Sequence, residues 1–148
     1  MSLNEEERKI IVGLEYEKAQ AIMAQIEGLK SLGYWDNIAN RLYYALFHAV
    51  SALLIRDKHA VNTHRGVVVL FGQHYVRTGI FDLADGKLYS QLQTMREKGD
   101  YNCIYQTSEE EVLPMIEPAI TNSNVKAAAS AVCRESTFTS CPFDTDVM

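Results

Sequence analysis

Cysteine is scarce in this chain, cationic clusters are missing, and no segment repeats. Three cysteines in 148 residues, Cys103, Cys133 and Cys141, are odd in number and far apart. They do not read as a disulfide framework and suit a reducing compartment. With neither a CxxC nor an HxxxH pair, no zinc or other metal site is expected. Lys and Arg number 14 against 19 Asp and Glu, a net charge of -5. That excludes non-specific nucleic-acid binding through a broad basic face, while leaving room for a local RNA site. DNA groove-reading motifs are missing too. The start, Met-Ser-Leu-Asn-Glu-Glu-Glu-Arg-Lys, lacks a secretory pattern. No apolar run is expected to reach the roughly 20 residues of a bilayer-spanning helix. A cytoplasmic protein without membrane contact is the expectation.

What the chain does have is one unusually apolar helix. No Gly or Pro occurs from Asp36 to Asp57. Ile38, Leu42, Ala45, Leu46, Ala49, Val50 and Leu53 repeat at helical spacing as one wide stripe, and Tyr43, Phe47 and Leu54 make a second. One narrow strip stays polar: Arg41, Tyr44, His48 and Ser51. Such a helix belongs at the centre of a bundle, and its polar strip needs partners or a function.

The remaining chain reads as further helices. The first spans Asn4 to Leu32, with Ile11, Leu14, Ala19, Ile22, Ile26 and Leu29 inward and a weak point at Gly13. Gly33 suits a left-handed C-cap and Asp36 a cap for the central helix, so the two form an antiparallel hairpin. A third helix starts with Asn62 or Thr63 as cap and runs to about Thr78. Its Val67-Val68-Val69 run favours a strand on propensity, but Leu70, Phe71, His74 and Tyr75 continue at helical steps. Asp85 caps a fourth helix carrying Leu88, Leu92 and Met95. Ser108-Glu109-Glu110-Glu111 is a capping box that opens a fifth, with Val112, Ile116 and Ile120 inward. The expected fold is all-α, an up-and-down bundle of four to five helices over residues 1–121. Residues 122–148 form a C-terminal extension, with a short helix at Val125 to Val132 and a loose tail.

Three blocks carry a resemblance. Arg41-Leu42-Tyr43-Tyr44-Ala45-Leu46-Phe47-His48-Ala49, Thr63-His64-Arg65-Gly66-Val67 and Arg96-Glu97-Lys98-Gly99-Asp100-Tyr101 together resemble an uncharacterised prokaryotic branch of the HEPN family (higher eukaryotes and prokaryotes nucleotide-binding domain), in order and in spacing. The resemblance covers roughly Leu14 to Thr121. It implies a helical bundle that dimerises and a genetic neighbour, a minimal nucleotidyltransferase, with which such proteins form toxin–antitoxin pairs. Many HEPN proteins are metal-independent RNases that need no cofactor. Their signature is Arg, a polar residue, a few others, then His. The His moves a proton and the Arg stabilises phosphate charge at a site built across the dimer.

Two segments compete for that signature. Arg41 to His48 has a fitting spacing, but Leu42 stands where a polar residue is preferred, and the segment lies too early in the bundle. Arg96 stands in the better place with polar Glu97 after it. There Tyr101 replaces the histidine, and a phenol with a pKa of about 10 does not stand in for an imidazole. The signature is therefore degraded, and a binding role is favoured over an enzymatic one. The candidate catalytic residues, should RNA be cleaved, are His48, Arg41 and Arg96.

Residues considered for nucleotide or phosphate binding are Arg41, Tyr44, His48, Lys58, His64, Arg65, Asp100 and Tyr101. His64-Arg65 begins a helix, where free N–H groups favour an anion. Each has a structural alternative: Arg41 paired with Asp100, His48 hydrogen-bonded in the core, His64 and Arg65 as a solvated helix start. Tyr43, Tyr44, Phe47, Phe71 and Tyr75 read as core rather than as base-stacking platforms. Three functions remain open: a HEPN-type partner of a minimal nucleotidyltransferase, a metal-independent endoribonuclease toxin, and a nucleotide sensor.

Overall fold

The computed structural model describes residues 3–101, 104 and 106–123; the expected helix at Val125 to Val132, the tail and all three cysteines lie outside them. The described part is helical. Its elements are α1 (Glu5–Met23), α2 (Ile26–Leu32), α3 (Trp35–Arg56), α4 (His64–Phe71) continued by a π-helical turn (Gly72–Val76), α5 (Leu83–Tyr101) and α6 (Glu109–Ser123). No strand occurs among the described residues. The valine run of α4 is helical because Val67 and Phe71 both face the core one turn apart, a requirement that outweighs β-propensity.

The central helix is α3, which fills the Gly- and Pro-free stretch to within one residue at each end. Ile38, Leu42, Ala45, Leu46, Ala49, Val50 and Leu53 are all buried, as are Tyr43 and Leu54. By length and composition α3 could cross a bilayer, contrary to the expectation that no run is long enough. Two-thirds of its apolar window, 67%, is buried inside the bundle, which is how a core helix passes that test. The other helices surround it. Val12, Ala19 and Ile26 from α1 and α2, Val67 and Phe71 from α4, Leu88, Tyr89 and Leu92 from α5, and Val112, Ile116 and Ala119 from α6 complete one core.

Several local expectations are corrected. The first helix breaks at Ala24–Gln25 rather than near Gly13. In α1, Val12 is buried and Leu14 is exposed. Tyr34 rather than Asp36 precedes α3; Asp36 instead accepts the Thr107 N–H at 2.6 Å, tying the α5–α6 connection to the start of α3. Asp85 lies inside the first turn of α5 and accepts the Asp82 N–H at 2.9 Å. Thr63 is the α4 cap, its hydroxyl accepting the Gly66 N–H.

Two helix ends share one closure. After α2, Gly33 is left-handed (φ 73°) and the Tyr34 N–H reaches the Leu29 carbonyl at 3.1 Å. After α3, Lys58 takes the same conformation (φ 67°) and the His59 N–H reaches the Leu54 carbonyl at 2.8 Å. Both are Schellman closures, and the second sets a side chain where glycine is preferred.

Candidate functional site

The α1–α3 seam decides what Arg41 and His48 can do. The two helices run antiparallel, and each step up α1 is matched by a step down α3. Glu5 meets Lys58 at 3.6 Å, the Arg8 guanidinium donates to the Ile55 carbonyl at 2.9 Å, and Glu15 meets His48 Nδ1 at 2.7 Å. His48 is thus one rung of a packing seam. Arg41 does not pair with Asp100. It donates to its neighbour Asn40 at 2.8 Å, and its guanidinium carbon lies 5.4 Å from the Tyr44 ring centroid. Arg41 and His48 share a face of α3 two turns apart but have different partners, Asn40 and Glu15, and do not form one constellation.

A different cluster forms where α3, α4 and α5 meet. Arg96, only 18% exposed, comes from α5 and donates through Nε to the Tyr44 hydroxyl at 3.1 Å. Its guanidinium carbon lies 5.4 Å from the Tyr43 ring centroid and 5.6 Å from that of Tyr44. One turn on, the Asp100 carboxylate is 3.6 Å from Nε. Burial works against the charge on Arg96, but the Tyr44 hydroxyl, with Tyr43 and Asp100, outweighs it and pushes the pKa up. The result is a fixed cation held between two aromatic rings.

From α4, His64 reaches the same rings. Its Nδ1 is 2.8 Å from the Tyr43 hydroxyl, and its ring packs on Phe47 with centroids 4.4 Å apart and edge-on to Tyr44 at 5.9 Å. Burial lowers its pKa, reinforced by the nearby Arg96 and His48 charges. Burial pushes the Tyr43 phenol up to about 12, although Arg96 opposes it. Near neutrality Tyr43 is therefore a neutral phenol and His64 a neutral imidazole, and the two share one hydrogen bond.

Arg96 also lines a groove of about 220 Å³ between the start of α3 and the end of α5, with Asp36, Asn37, Asn40, Asp100 and Thr107. Among the described residues it is the one arginine that both bonds a hydroxyl of the α3 tyrosine pair and opens onto a cavity. Among the other expected site residues, Arg65 forms an exposed pair with Glu97 at 3.6 Å. Lys58 lies past the far end of α3, about 25 Å from Arg41 along the helix axis. Tyr101 closes α5, and its side chain lies outside the described residues. Sequence spacing missed the joining of His64 to Arg96, because three helices carry the cluster. The one signal for it was the pair of adjacent tyrosines, which face different neighbours on a helix. No cluster of three or more metal-ligating side chains occurs among the described residues.

The HEPN domain model matches residues 14–121. A UPF0332 protein of Thermotoga maritima is 39% identical over 80 residues, covering 54% of this chain and 61% of that protein. Two proteins of Methanocaldococcus jannaschii named as candidate toxins are 30% and 26% identical, covering 67% and 64% of this chain and 73% and 65% of their own lengths. The chain thus spans less than two-thirds of the Thermotoga and second Methanocaldococcus relatives.

Proposed function

Because the chain belongs to the HEPN domain family, its domain model covering most of the bundle, we propose that it acts by binding, as the HEPN half of a toxin–antitoxin-like pair. The ligand is phosphate-bearing, an RNA or a nucleotide, and Arg96 holds it. The partner is a minimal nucleotidyltransferase, and a homodimer is the assembly unit. One observation carries this reading: a nearly buried arginine, fixed by Tyr43 and Tyr44, opens onto a polar groove. A preorganised guanidinium binds phosphate oxygens bidentately without losing much side-chain entropy.

The separation of Arg41 from His48 supports binding over cleavage by that pair. Glu15 holds the His48 ring, and Asn40 holds the Arg41 fork. Relatives named as candidate toxins fit a toxin–antitoxin setting. Co-expression with a minimal nucleotidyltransferase from the same genome, followed by size-exclusion chromatography, tests the partner: a stable complex is expected, and separate elution contradicts it. Fluorescence titration of a short oligoribonucleotide and of ATP tests the ligand: saturable binding lost in Arg96→Ala is expected.

The endoribonuclease reading keeps one favourable observation, a half-buried histidine beside Arg96 that the linear motif does not contain. RNA cleavage that survives EDTA and disappears in His64→Ala, not in His48→Ala, would replace the binding reading with this one.

A further inference from the structure

One groove and one ridge on this chain take no part in the Arg96 site. The groove lies between the end of α4, its π-helical turn and the start of α5, with a volume of about 630 Å³. Val68, Val76 and Leu83 make it largely apolar, and Leu83 is 68% exposed. Arg77 and Lys87 also line it, and both are exposed. Neither has an ion-pair partner among the described residues. Among the described residues no carboxylate lines the groove. Gly72 is helical (φ -60°, ψ -46°), and a Cβ there would meet nothing within 4 Å. Helical backbone favours every residue but proline over glycine, so no backbone requirement explains Gly72. Its missing side chain keeps the groove open.

The ridge is the outer face of α1. Ile10 and Leu14, one turn apart, are 60% and 59% exposed. Helical spacing sets Glu6 before them and Glu17 after them on the same face, and both are exposed. Neither carboxylate has a partner among the described residues. A Cβ on Gly13, between the two aliphatic residues, would also meet nothing within 4 Å, so another helix can come close there. The two surfaces are complementary. One is an apolar pair with a carboxylate at each end, and the other is an apolar groove with two free cations. They cannot meet within one molecule, because α1 packs chiefly on α3 whereas the groove belongs to α4 and α5.

We propose that the α4–α5 groove receives the α1 ridge of a second copy of this chain. Ile10 and Leu14 enter the groove over Gly72, and Glu6 and Glu17 meet Arg77 and Lys87. The contact joins two different surfaces, so each copy keeps a free ridge and a free groove and association continues head to tail. A two-fold homodimer pairs a surface with itself and uses neither half of this contact in that way, so the two modes are separable by experiment. Two aliphatic side chains in one groove fall short of the roughly 1,200 Å² that a stable interface buries. The association is therefore weak, rises with protein concentration and is weakened by salt.

The test is sedimentation velocity of the full chain from about 5 to about 500 µM, a range that spans weak association. Wild type is compared with a ridge-reversed variant (Glu6→Lys/Glu17→Lys), a groove-reversed variant (Arg77→Glu/Lys87→Glu) and a filled groove (Gly72→Leu). All the substituted side chains are exposed or point into open space, and circular dichroism confirms helix content. The weight-average mass of wild type is expected to rise with concentration above that of its smallest species. Each of the three variants weakens that rise about tenfold or more in association constant. An equimolar mixture of the ridge-reversed and groove-reversed proteins restores it, because every junction in the mixture again joins opposite charges. Filling the groove is not rescued by mixing with either. A wild-type mass that does not change with concentration overturns the proposal. So does self-association that all three variants leave intact, which would place it on other faces. Loss in the groove variants alone, with the ridge-reversed protein matching wild type, overturns the α1 assignment and gives the groove to another occupant.

Discussion

The Nε–H of Arg96 donates to the Tyr44 hydroxyl at 3.1 Å, across 52 residues of sequence. That bond ties α5 to the central helix and fixes a cation that would otherwise move freely on the surface. It also separates two roles that the sequence motif combines, because Tyr44 belongs to the Arg41–His48 segment while the arginine it serves is Arg96.

Replacement of Arg96 is expected to cost some stability as well as binding. Loss of the Tyr44 bond and of both ring contacts in Arg96→Ala removes about 1–2 kcal/mol. Arg96→Lys recovers part of the charge and little of the stacking, since an ammonium lacks the planar fork. Urea unfolding of the three proteins measures this; equal midpoints for wild type and Arg96→Ala would show that the arginine is not held as described.

His48 is expected to behave as a structural residue. His48→Ala should lower unfolding free energy by about 1–2 kcal/mol, because it leaves the Glu15 carboxylate unpaired beside the seam. Glu15→Ala should cost less, and a double-mutant cycle should give a coupling energy of roughly 0.5–2 kcal/mol. Full additivity would mean that the 2.7 Å contact contributes nothing in solution.

Acid should destabilise the fold through two histidines. The His59 pKa is lowered by burial and then by His74, whose ring stacks on it at 3.9 Å, with Asp57 opposing; that of His64 is lowered by burial, Arg96 and His48. A histidine whose pKa is depressed on folding binds its proton more readily when unfolded. Its stabilising share is therefore complete above the unfolded value of about 6.5 and is lost as pH falls below it toward the folded value. Chemical unfolding at pH 7.5 and 5.5 is expected to show a larger drop for wild type than for His59→Gln/His64→Gln. Identical drops would contradict it.

Lys58 offers a gain. Its left-handed backbone closes α3 as Gly33 closes α2. Lys58→Gly relieves that conformation, at the cost of a more flexible unfolded chain and of an exposed pair with Glu5. A net increase of up to about 1 kcal/mol is expected in thermal or urea unfolding; a loss of similar size would show that the side chain outweighs the backbone.

Much of the bundle was legible in the sequence because the information was local. The stripes of α3, Gly33 as a left-handed cap, Thr63 as the α4 cap and Ser108 before α6 all depend on residues within a turn or two. Asp36 and Asp85 misled because a carboxylate before or inside a helix start can satisfy several N–H groups, and tertiary position decides which. Asp36 turns to Thr107, 71 residues away. The Arg96–Tyr44 and Tyr43–His64 contacts were invisible for the same reason. Helical spacing places residues on a face but does not say which face of another helix it meets.

The most direct measurement of the central claim is the affinity of one phosphate ligand, ATP or an oligoribonucleotide as chosen by wild type, for Arg96→Ala and His48→Ala side by side. The account predicts at least about a tenfold loss for Arg96→Ala and a change under about twofold for His48→Ala. The reverse pattern, with His48 essential and Arg96 dispensable, would return the site to the Arg41–His48 strip and contradict the account.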